Sequence, residues 1–176
     1  YIIGRDLVQA PRTRFIIDFF GATAEEARVK CPTLFQRITD RVLPERQHNN
    51  RAIYRDRWWI FAEPRPAMRR ALNGLQRFIV TPYTAKHRPF IFVSGETLPD
   101  AMAYAVATDD AYVLGVLSTR IHVRWALSSG AKLGVGNDPR YTSRRCFDPF
   151  PFPISNKGQA NRIRELGEQL DAHRKR

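Results

Sequence analysis

The sequence predicts an α+β fold in which a small antiparallel sheet packs with helices. Two short helical patterns form a hairpin near the amino terminus, three β-rich runs lie between residues 77 and 106, and an apolar stripe marks the carboxyl-terminal segment. At 176 residues the chain can bury one substantial core. We therefore expect one main domain, residues 1–160, and a helical extension, residues 161–176.

The amino-terminal hairpin is predicted from a cap and a periodicity. Thr23 and Glu26 have the spacing of a capping box, so the first helix is expected over residues 24–30. Apolar residues recur every four positions over residues 33–43, which predicts the second helix. The two helices together give a small helical hairpin.

The next segment is also predicted to be largely helical. Residues 44–57 are expected to form a basic helix that ends near Trp58 and Trp59. Adjacent bulky aromatic residues are mostly buried, so these tryptophans are expected to pack and not to stack on bases. Pro66 suits the first turn of another helix, and Gly74 suits the position just after its end.

The pattern changes to β at Arg77. The runs RFIVT, PFIFVS and AYAVA, with the polar turn TAKH between the first two, predict three strands of an antiparallel sheet. Asp109 and Asp110 then precede the apolar residues 111–129, which end at Gly130. This segment is predicted to be one long, mostly buried helix with an aspartate as its cap.

The carboxyl-terminal part is predicted to contain a ribbon and a helix. In residues 146–153, CFDPFPFP, the alternating prolines exclude a helix and favour an extended ribbon. Its three phenylalanines are expected to cover an edge of the core. In residues 161–176, apolar side chains lie on one helical stripe opposite a charged face.

Basic residues are concentrated in two blocks. The chain has 29 Lys and Arg against 17 Asp and Glu, a formal net charge of +12. Residues 1–90 hold 17 basic and 8 acidic groups, residues 131–176 hold 10 and 5, and residues 91–130 hold only 2 and 4. This distribution favours nucleic acid as the partner. No segment supplies the ~20 apolar residues of a membrane-spanning helix, so no membrane partner is expected.

The first basic block is densest over residues 46–88, where ten basic residues face two acidic ones. Nine of the ten are Arg, whose planar fork matches phosphates and guanine edges. We expect this block to position DNA phosphates, although an arginine-rich surface paired with neighbouring acids is the alternative. The candidate phosphate contacts from this block are Arg65, Arg69, Arg70, Arg77, Lys86, His87 and Arg88.

Residues 134–141, GVGNDPRY, form a second candidate segment. The glycines permit a close approach of backbone to a ligand, while Asn137, Asp138 and Arg140 offer hydrogen-bonding groups. An ordinary turn explains the same composition equally well. The GxGxxG pattern fails at Pro139, and the Gly-Lys-Ser/Thr ending of a Walker loop is missing.

No catalytic or metal site is expected in this chain. The four histidines and two cysteines lack metal-ligand spacing, and a helix cap explains the Asp109-Asp110 pair. Two cysteines far apart, without CxxC, are typical of a reduced intracellular protein, and we expect the cytoplasm. Because the chain begins inside an ordered-looking run, YIIGRDL, we expect it to be part of a longer protein.

An ordered series of motifs then resembles a known family. It comprises YIIGRDL, FIIDFFG, PERQHNNR, WWIFAEPRPAMRRAL, RFIVTPYTAKHR, DDAYVLGVLSTRIHVRWAL, GVGNDPRYTSRRCFDPFPFP and ELGEQLDAHRKR. The series resembles the target-recognition region of MmeI-like enzymes, the type IIL restriction-modification proteins and related adenine DNA methyltransferases. The resemblance covers essentially the whole chain.

The resemblance implies a parent protein with an S-adenosylmethionine-dependent methyltransferase domain, preceded in many relatives by a nuclease. The glycine-rich cofactor motif and the NPPY-type tetrapeptide of such catalytic domains are absent from this sequence. We therefore expect no cofactor and no catalysis in this chain. The implied partners are double-stranded DNA and the methyltransferase domain of the same parent chain.

The resemblance also assigns roles to residues. Such a module holds the duplex and reads base pairs while the target adenine is flipped out. In the family, the residues just before an Arg-Tyr pair matter for recognition, and Arg140-Tyr141 matches that pair. The candidate base contacts are Asn137, Asp138, Arg140 and Tyr141. The additional pair Arg144 and Arg145 is expected to extend the phosphate footprint.

Two alternatives remain open at this point. In the first, the chain is a phosphodiesterase with an unrecognised metal site, and it would cleave plasmid DNA in the presence of a divalent metal ion. An RNA-binding or assembly module predicts a preference for RNA or protein over duplex DNA.

Overall fold

A computed structural model describes residues 1–9, 12–133 and 138–175 of the chain. The chain divides into two compact units, one formed by Tyr1–Arg14 with Met68–Arg176 and the other by Phe15–Ala67. Helices accompany a three-stranded antiparallel sheet and a two-stranded ribbon, so the predicted α+β class is confirmed. We call the two parts the sheet unit and the helical unit.

The helical unit consists of short helices. They are α1 (Ala24–Lys30), α2 (Pro32–Arg41), α3 (Leu43–Arg46) and α4 (Ala52–Asp56). The predicted capping box is confirmed, because the backbone N–H of Glu26 donates to Thr23 Oγ1 at 3.2 Å and Glu26 Oε2 accepts the Thr23 N–H at 2.7 Å. Helices α1 and α2 correspond to the two predicted helices of the hairpin.

The predicted single helix over residues 44–57 is wrong, because α3 and α4 are separated. The side chain of Asn49 accepts the backbone N–H of Arg51 at 2.9 Å. Asn competes with helical hydrogen bonds through such local contacts, so the chain turns here before α4 begins.

The tryptophans of the helical unit pack as predicted. The ring centroids of Trp58 and Phe35 are 5.3 Å apart, and those of Trp58 and Trp59 are 6.3 Å apart. Trp59 Nε1 donates to the carbonyl of Ala22 at 2.9 Å. Arg46 Nη1 donates to the carbonyl of Trp58 at 3.0 Å, so one arginine of the basic block holds the fold of this unit.

Helix α5 (Pro66–Leu72) leads into the sheet. Gly74 follows it with a φ of 82°, the left-handed conformation expected after a helix end. The strands are β1 (Arg77–Pro82), β2 (Ile91–Ser94) and β3 (Ala103–Val106). The central strand β1 is antiparallel to both neighbours, with Ile79 opposite Phe92 and Val80 opposite Ala105. The predicted small antiparallel sheet is confirmed.

The predicted single helix over residues 111–129 is instead two helices, α6 (Ala111–Leu117) and α7 (Arg120–Ser129). Asp110 caps α6 as expected, accepting the N–H of Tyr112 at 2.9 Å. Thr119 Oγ1 accepts the N–H of His122 at 3.2 Å and so caps a second helix. This internal cap ends one helix and begins the next.

Helix α8 (Lys157–Arg174) completes the sheet unit. It begins before the predicted residue 161 because the side chain of Asn156 accepts the N–H of Gln159 at 2.9 Å. Glycines bring α8 and α6 close together: a Cβ on Gly167 would lie 2.2 Å from the carbonyl oxygen of Ala111.

The proline-rich segment before α8, residues 146–153, covers the core with its phenylalanines. The predicted extended segment over residues 146–153 is wrong at its start, because Cys146 and Phe147 belong to one wide helical turn, Ser143–Phe147. The first proline of the segment is Pro149, so the prolines act only on the residues after this turn. The ring of Phe150 lies 4.4 Å from that of His122, and Phe147 and Phe152 are 5.5 Å apart. The three phenylalanines thus cover the core as expected.

Candidate nucleic-acid interface

The structure joins two segments that the sequence analysis identified separately. The first is the connection between β1 and β2, residues 83–90, which we call the turn. The second consists of the paired strands β4 (Lys132–Leu133) and β5 (Asp138–Pro139) with the following Arg140 and Tyr141. We call these described residues the hairpin. Thr84 of the turn forms an antiparallel bridge with Arg140 of the hairpin.

Backbone hydrogen bonds close the junction. The N–H of Tyr141 donates to the carbonyl of Tyr83 at 2.8 Å, and the N–H of Ala85 donates to that of Pro139 at 3.4 Å. The backbone N–H of Arg140 donates to the carbonyl of Ala131 at 2.8 Å. The turn and the hairpin therefore form one surface of the sheet unit.

Arg140 and Asp138 are the described candidates with accessible side chains in the hairpin. Asp138 is exposed, while Arg140 is half-buried with its guanidinium carbon 5.7 Å from the centroid of the Tyr83 ring. A guanidinium held against an aromatic face loses less rotational freedom when it binds a planar partner. Asn137, also predicted to contact bases, lies outside the described residues.

Tyr141 is fully buried, with 0% of its surface exposed. Its hydroxyl is 3.0 Å from His122 Nε2, and its ring lies 5.3 Å from that of Phe90. Burial raises the pKa of Tyr141 well above its usual range. A side chain without accessible surface cannot contact a base edge, so Tyr141 anchors the hairpin instead of taking the role that the sequence suggested.

Arg88 is also buried, with 6% of its surface exposed. Its guanidinium donates to the carbonyls of Pro82, Ala85 and Pro139, the last at 2.9 Å. Burial lowers the pKa of Arg88 from its usual value. Arg88 therefore connects the turn to the hairpin. Because its guanidinium is buried, it is not accessible for the phosphate contact that the sequence predicted.

An open cavity of about 640 Å³ lies beside the turn. Its lining includes the exposed Lys86 and His87 together with Arg174 of α8, and none of its lining residues is acidic. Arg174 also donates to the carbonyl of Phe90, which holds the end of α8 against the turn. The cavity has the charge of an anion site.

Comparison with known proteins decides the family. The sequence profile of the family described as "MmeI, target recognition domain" matches residues 11–154. The chain belongs to this family. The resemblance inferred from the motifs is therefore confirmed.

Two related proteins extend the comparison. DNA methyltransferase A of Bacillus subtilis (strain 168) is 28% identical over an alignment of 91 residues, and the match covers 49% of this chain and 10% of that protein. The solved structure of the type IIL restriction-modification enzyme MmeI in complex with DNA has the same fold, with a TM-score of 0.76 at 19% identity. That match covers 99% of this chain and 23% of the MmeI chain, so the chain spans a minor part of both relatives.

In this target recognition domain, Arg77 was predicted to contact a DNA phosphate, but its guanidinium is bound within the protein. Its guanidinium pairs with Glu168 at 2.9 Å, donates to the carbonyl of Asp109 at 3.1 Å and lies 3.9 Å from the ring of Phe92. The ion pair raises the pKa of Arg77 and lowers that of Glu168. Because its charge is already matched, Arg77 serves the packing of α8 on the sheet.

The remaining phosphate candidates differ in accessibility. Arg65, in the helical unit, is exposed and pairs with Glu63 at 3.1 Å. On α5, Arg70 is exposed and Arg69 is half-buried. Arg144 and Arg145 are exposed on the wide helical segment Ser143–Phe147. These arginines stay candidates for DNA contact.

Tyr83 and Arg174 were missed by the sequence analysis. Tyr83 matters because Arg140 lies over its ring, and Arg174 matters because it lines the basic cavity. Neither contact has a local sequence signal, since the residues that meet are far apart in the chain. Among the described residues, no helix could cross a membrane, and no group of His, Cys, Asp or Glu is arranged for a metal ion.

Proposed function

We propose that this target recognition domain binds duplex DNA with sequence preference and presents it to a methyltransferase domain of the same protein. The observation that carries the proposal is the joined turn and hairpin, which places exposed basic side chains next to Asp138 and Arg140. The names of the two relatives, a DNA methyltransferase and a restriction-modification enzyme solved with DNA, support the same partner. S-adenosylmethionine and adenine methylation belong to the proposed parent enzyme.

Affinity and preference are assigned to different side chains. Lys86 and the exposed arginines on α5 and after the hairpin are proposed to neutralise phosphates, and His87 to donate a hydrogen bond to one. Such contacts fix register without distinguishing sequences. Arg140 is proposed to donate two hydrogen bonds to a guanine edge, and Asp138 to accept one from cytosine. Asn137 is proposed as an adenine contact.

We expect the chain to enrich a subset of sequences from a randomised duplex library and to bind them in a salt-dependent manner. If three phosphates are contacted, affinity should fall about 40-fold between about 50 and 200 mM salt. Fluorescence anisotropy with the enriched duplex, a scrambled duplex and an RNA of the same sequence measures this. Equal binding of RNA would favour an RNA-binding module, and metal-dependent cleavage of plasmid would favour the phosphodiesterase alternative.

Arg140→Ala is expected to lower preference for the enriched duplex at one base pair by about 5- to 150-fold, or about 1 to 3 kcal/mol, because a bidentate base contact is lost. The measurement is anisotropy against duplexes substituted at each position in turn. Arg70→Ala is the matched control: it should weaken all duplexes alike and reduce the salt slope by about one. If the two variants behave identically, Arg140 does not read a base.

A further inference from the structure

Arg88 occupies an unusual position for a residue of a basic DNA-binding turn. Lys86 and His87 beside it are exposed, whereas Arg88 is buried and shows only 6% of its surface. No carboxylate among the described residues forms an ion pair with it, and its Nε has no hydrogen-bond partner there. A buried cation without an opposing charge is costly, so it needs a structural or functional reason.

The hydrogen bonds of Arg88 show what the buried charge accomplishes. Two of its acceptors, the carbonyls of Pro82 and Ala85, belong to the chain that enters and forms the turn. The third, the carbonyl of Pro139, belongs to β5 of the hairpin, 2.9 Å from Nη2. The guanidinium carbon lies 5.4 Å from the centroid of the Tyr141 ring. One planar group thus binds both segments and rests on the anchor of the hairpin.

Pro139 lies between the two described candidates for base contact. Asp138 precedes it and Arg140 follows it, so a fixed Pro139 carbonyl fixes the backbone from which both side chains project. The rigid fork of Arg reaches several acceptors in one plane, whereas a lysine ammonium is a single point on a flexible stem. A one-ångström displacement of a recognition group is enough to weaken a directional hydrogen bond.

We propose that Arg88 is a positioning residue that fixes the hairpin to the turn and thereby sets sequence preference, not affinity for phosphate. This inference rests on the proposed function. It assigns to three neighbours in the sequence two different tasks: Lys86 and His87 contact the backbone of DNA, and Arg88 holds the groups that contact its bases.

The test compares Arg88→Lys and Arg88→Met with Lys86→Ala. Arg88→Lys keeps the charge without the fork, and Arg88→Met fills the space without a charge. For each variant, anisotropy gives the ratio of dissociation constants for scrambled and enriched duplexes and the salt slope. Circular dichroism first confirms a folded state at the assay temperature. Hydrogen exchange of the Arg140 and Tyr141 amides, which bond to Ala131 and Tyr83, reports on the hairpin itself.

Both Arg88 variants are expected to lower the preference ratio about fivefold or more. This is the effect expected when a misplaced hairpin loses one well-aligned hydrogen bond to a base. Affinity for the scrambled duplex should stay unchanged, the salt slope of Arg88→Lys should match that of the wild type, and the two hairpin amides should exchange faster. Lys86→Ala should weaken both duplexes alike, reduce the slope by about one and leave the amides unchanged.

Three outcomes would overturn the inference. Equal weakening of both duplexes with a smaller salt slope in Arg88→Lys would make Arg88 a phosphate contact. An unchanged preference ratio together with a lower melting temperature would show that Arg88 only stabilises the fold. Unchanged hydrogen exchange of the Arg140 and Tyr141 amides would show that Arg88 does not hold the hairpin. Failure of the proposed function is recognised separately, as a wild-type chain that shows no preference for any duplex.

Discussion

Replacing Gly130 with alanine is expected to lower the free energy of unfolding of the sheet unit by about 1 to 3 kcal/mol, the range for overpacked sites. Gly130 follows α7 and precedes the hairpin. A Cβ there would lie 2.4 Å from the carbonyl oxygen of Arg140 and 2.7 Å from that of Ala126. Both are backbone atoms, so relief requires the hairpin to move away from α7 and the backbone at residue 130 to turn away from Ala126. Urea denaturation followed by circular dichroism measures the loss.

Gly158→Ala is the matched control for this substitution. Gly158 lies in the first turn of α8, and an added Cβ would meet only Asn156 Oδ1 at 3.5 Å, an ordinary contact. Alanine in place of a helical glycine is expected to add up to about 1 kcal/mol of stability. Equal stability of Gly130→Ala and the wild type would show that the hairpin is not packed against α7 as described. A displaced hairpin should also lower preference for the enriched duplex.

The parts of the fold that could be predicted are those determined by neighbouring residues. The capping box of Thr23 and Glu26, the helix end at Gly74 and the antiparallel runs from Arg77 onward all depend on short-range chemistry. The break between α6 and α7 was missed because apolar residues keep helical spacing on both sides of the polar run Ser118-Thr119-Arg120. Thr119 interrupts the helix through one side-chain hydrogen bond, which no apolar periodicity reveals.

The candidate interface was predictable only as two separate segments. Composition identified the turn and the hairpin, but their junction depends on the bridge between Thr84 and Arg140, a contact between distant parts of the chain. The direction of each side chain was equally hidden. Lys86 and Arg88 look alike in sequence, and only packing against Tyr141 distinguishes an exposed cation from a buried one.

The same limit explains Arg77. Its charge pattern placed it among the phosphate candidates, whereas the antiparallel sheet and α8 place Glu168 against it. A count of basic residues therefore overstates a binding footprint when acids from distant segments pair with some of them. The accessible cations that remain, on the turn, on α5 and after the hairpin, are the ones whose removal should change the salt dependence.

The stability of the sheet unit is expected to fall as the pH is lowered from about 6.5 to 4, through protonation of His122 in the unfolded chain. His122 is buried among Tyr141, Phe90 and Phe150. Burial, with the nearby Arg88 cation as a lesser cause, lowers the pKa of His122 from 6.5 to about 4. Between these values the unfolded chain binds a proton that the folded chain does not.

Each pH unit in this window should therefore cost up to about 1.4 kcal/mol, and the full interval about 3 kcal/mol. Urea denaturation at several pH values between 7 and 5 measures the slope above the range in which the paired carboxylates titrate. His122→Gln keeps a hydrogen-bonding group near the Tyr141 hydroxyl but cannot be protonated, so its stability should be nearly constant over the same interval. A slope that survives in His122→Gln would assign the pH dependence to another group. A slope that disappears in His122→Gln would identify His122 as the group whose burial makes the stability of the sheet unit depend on pH.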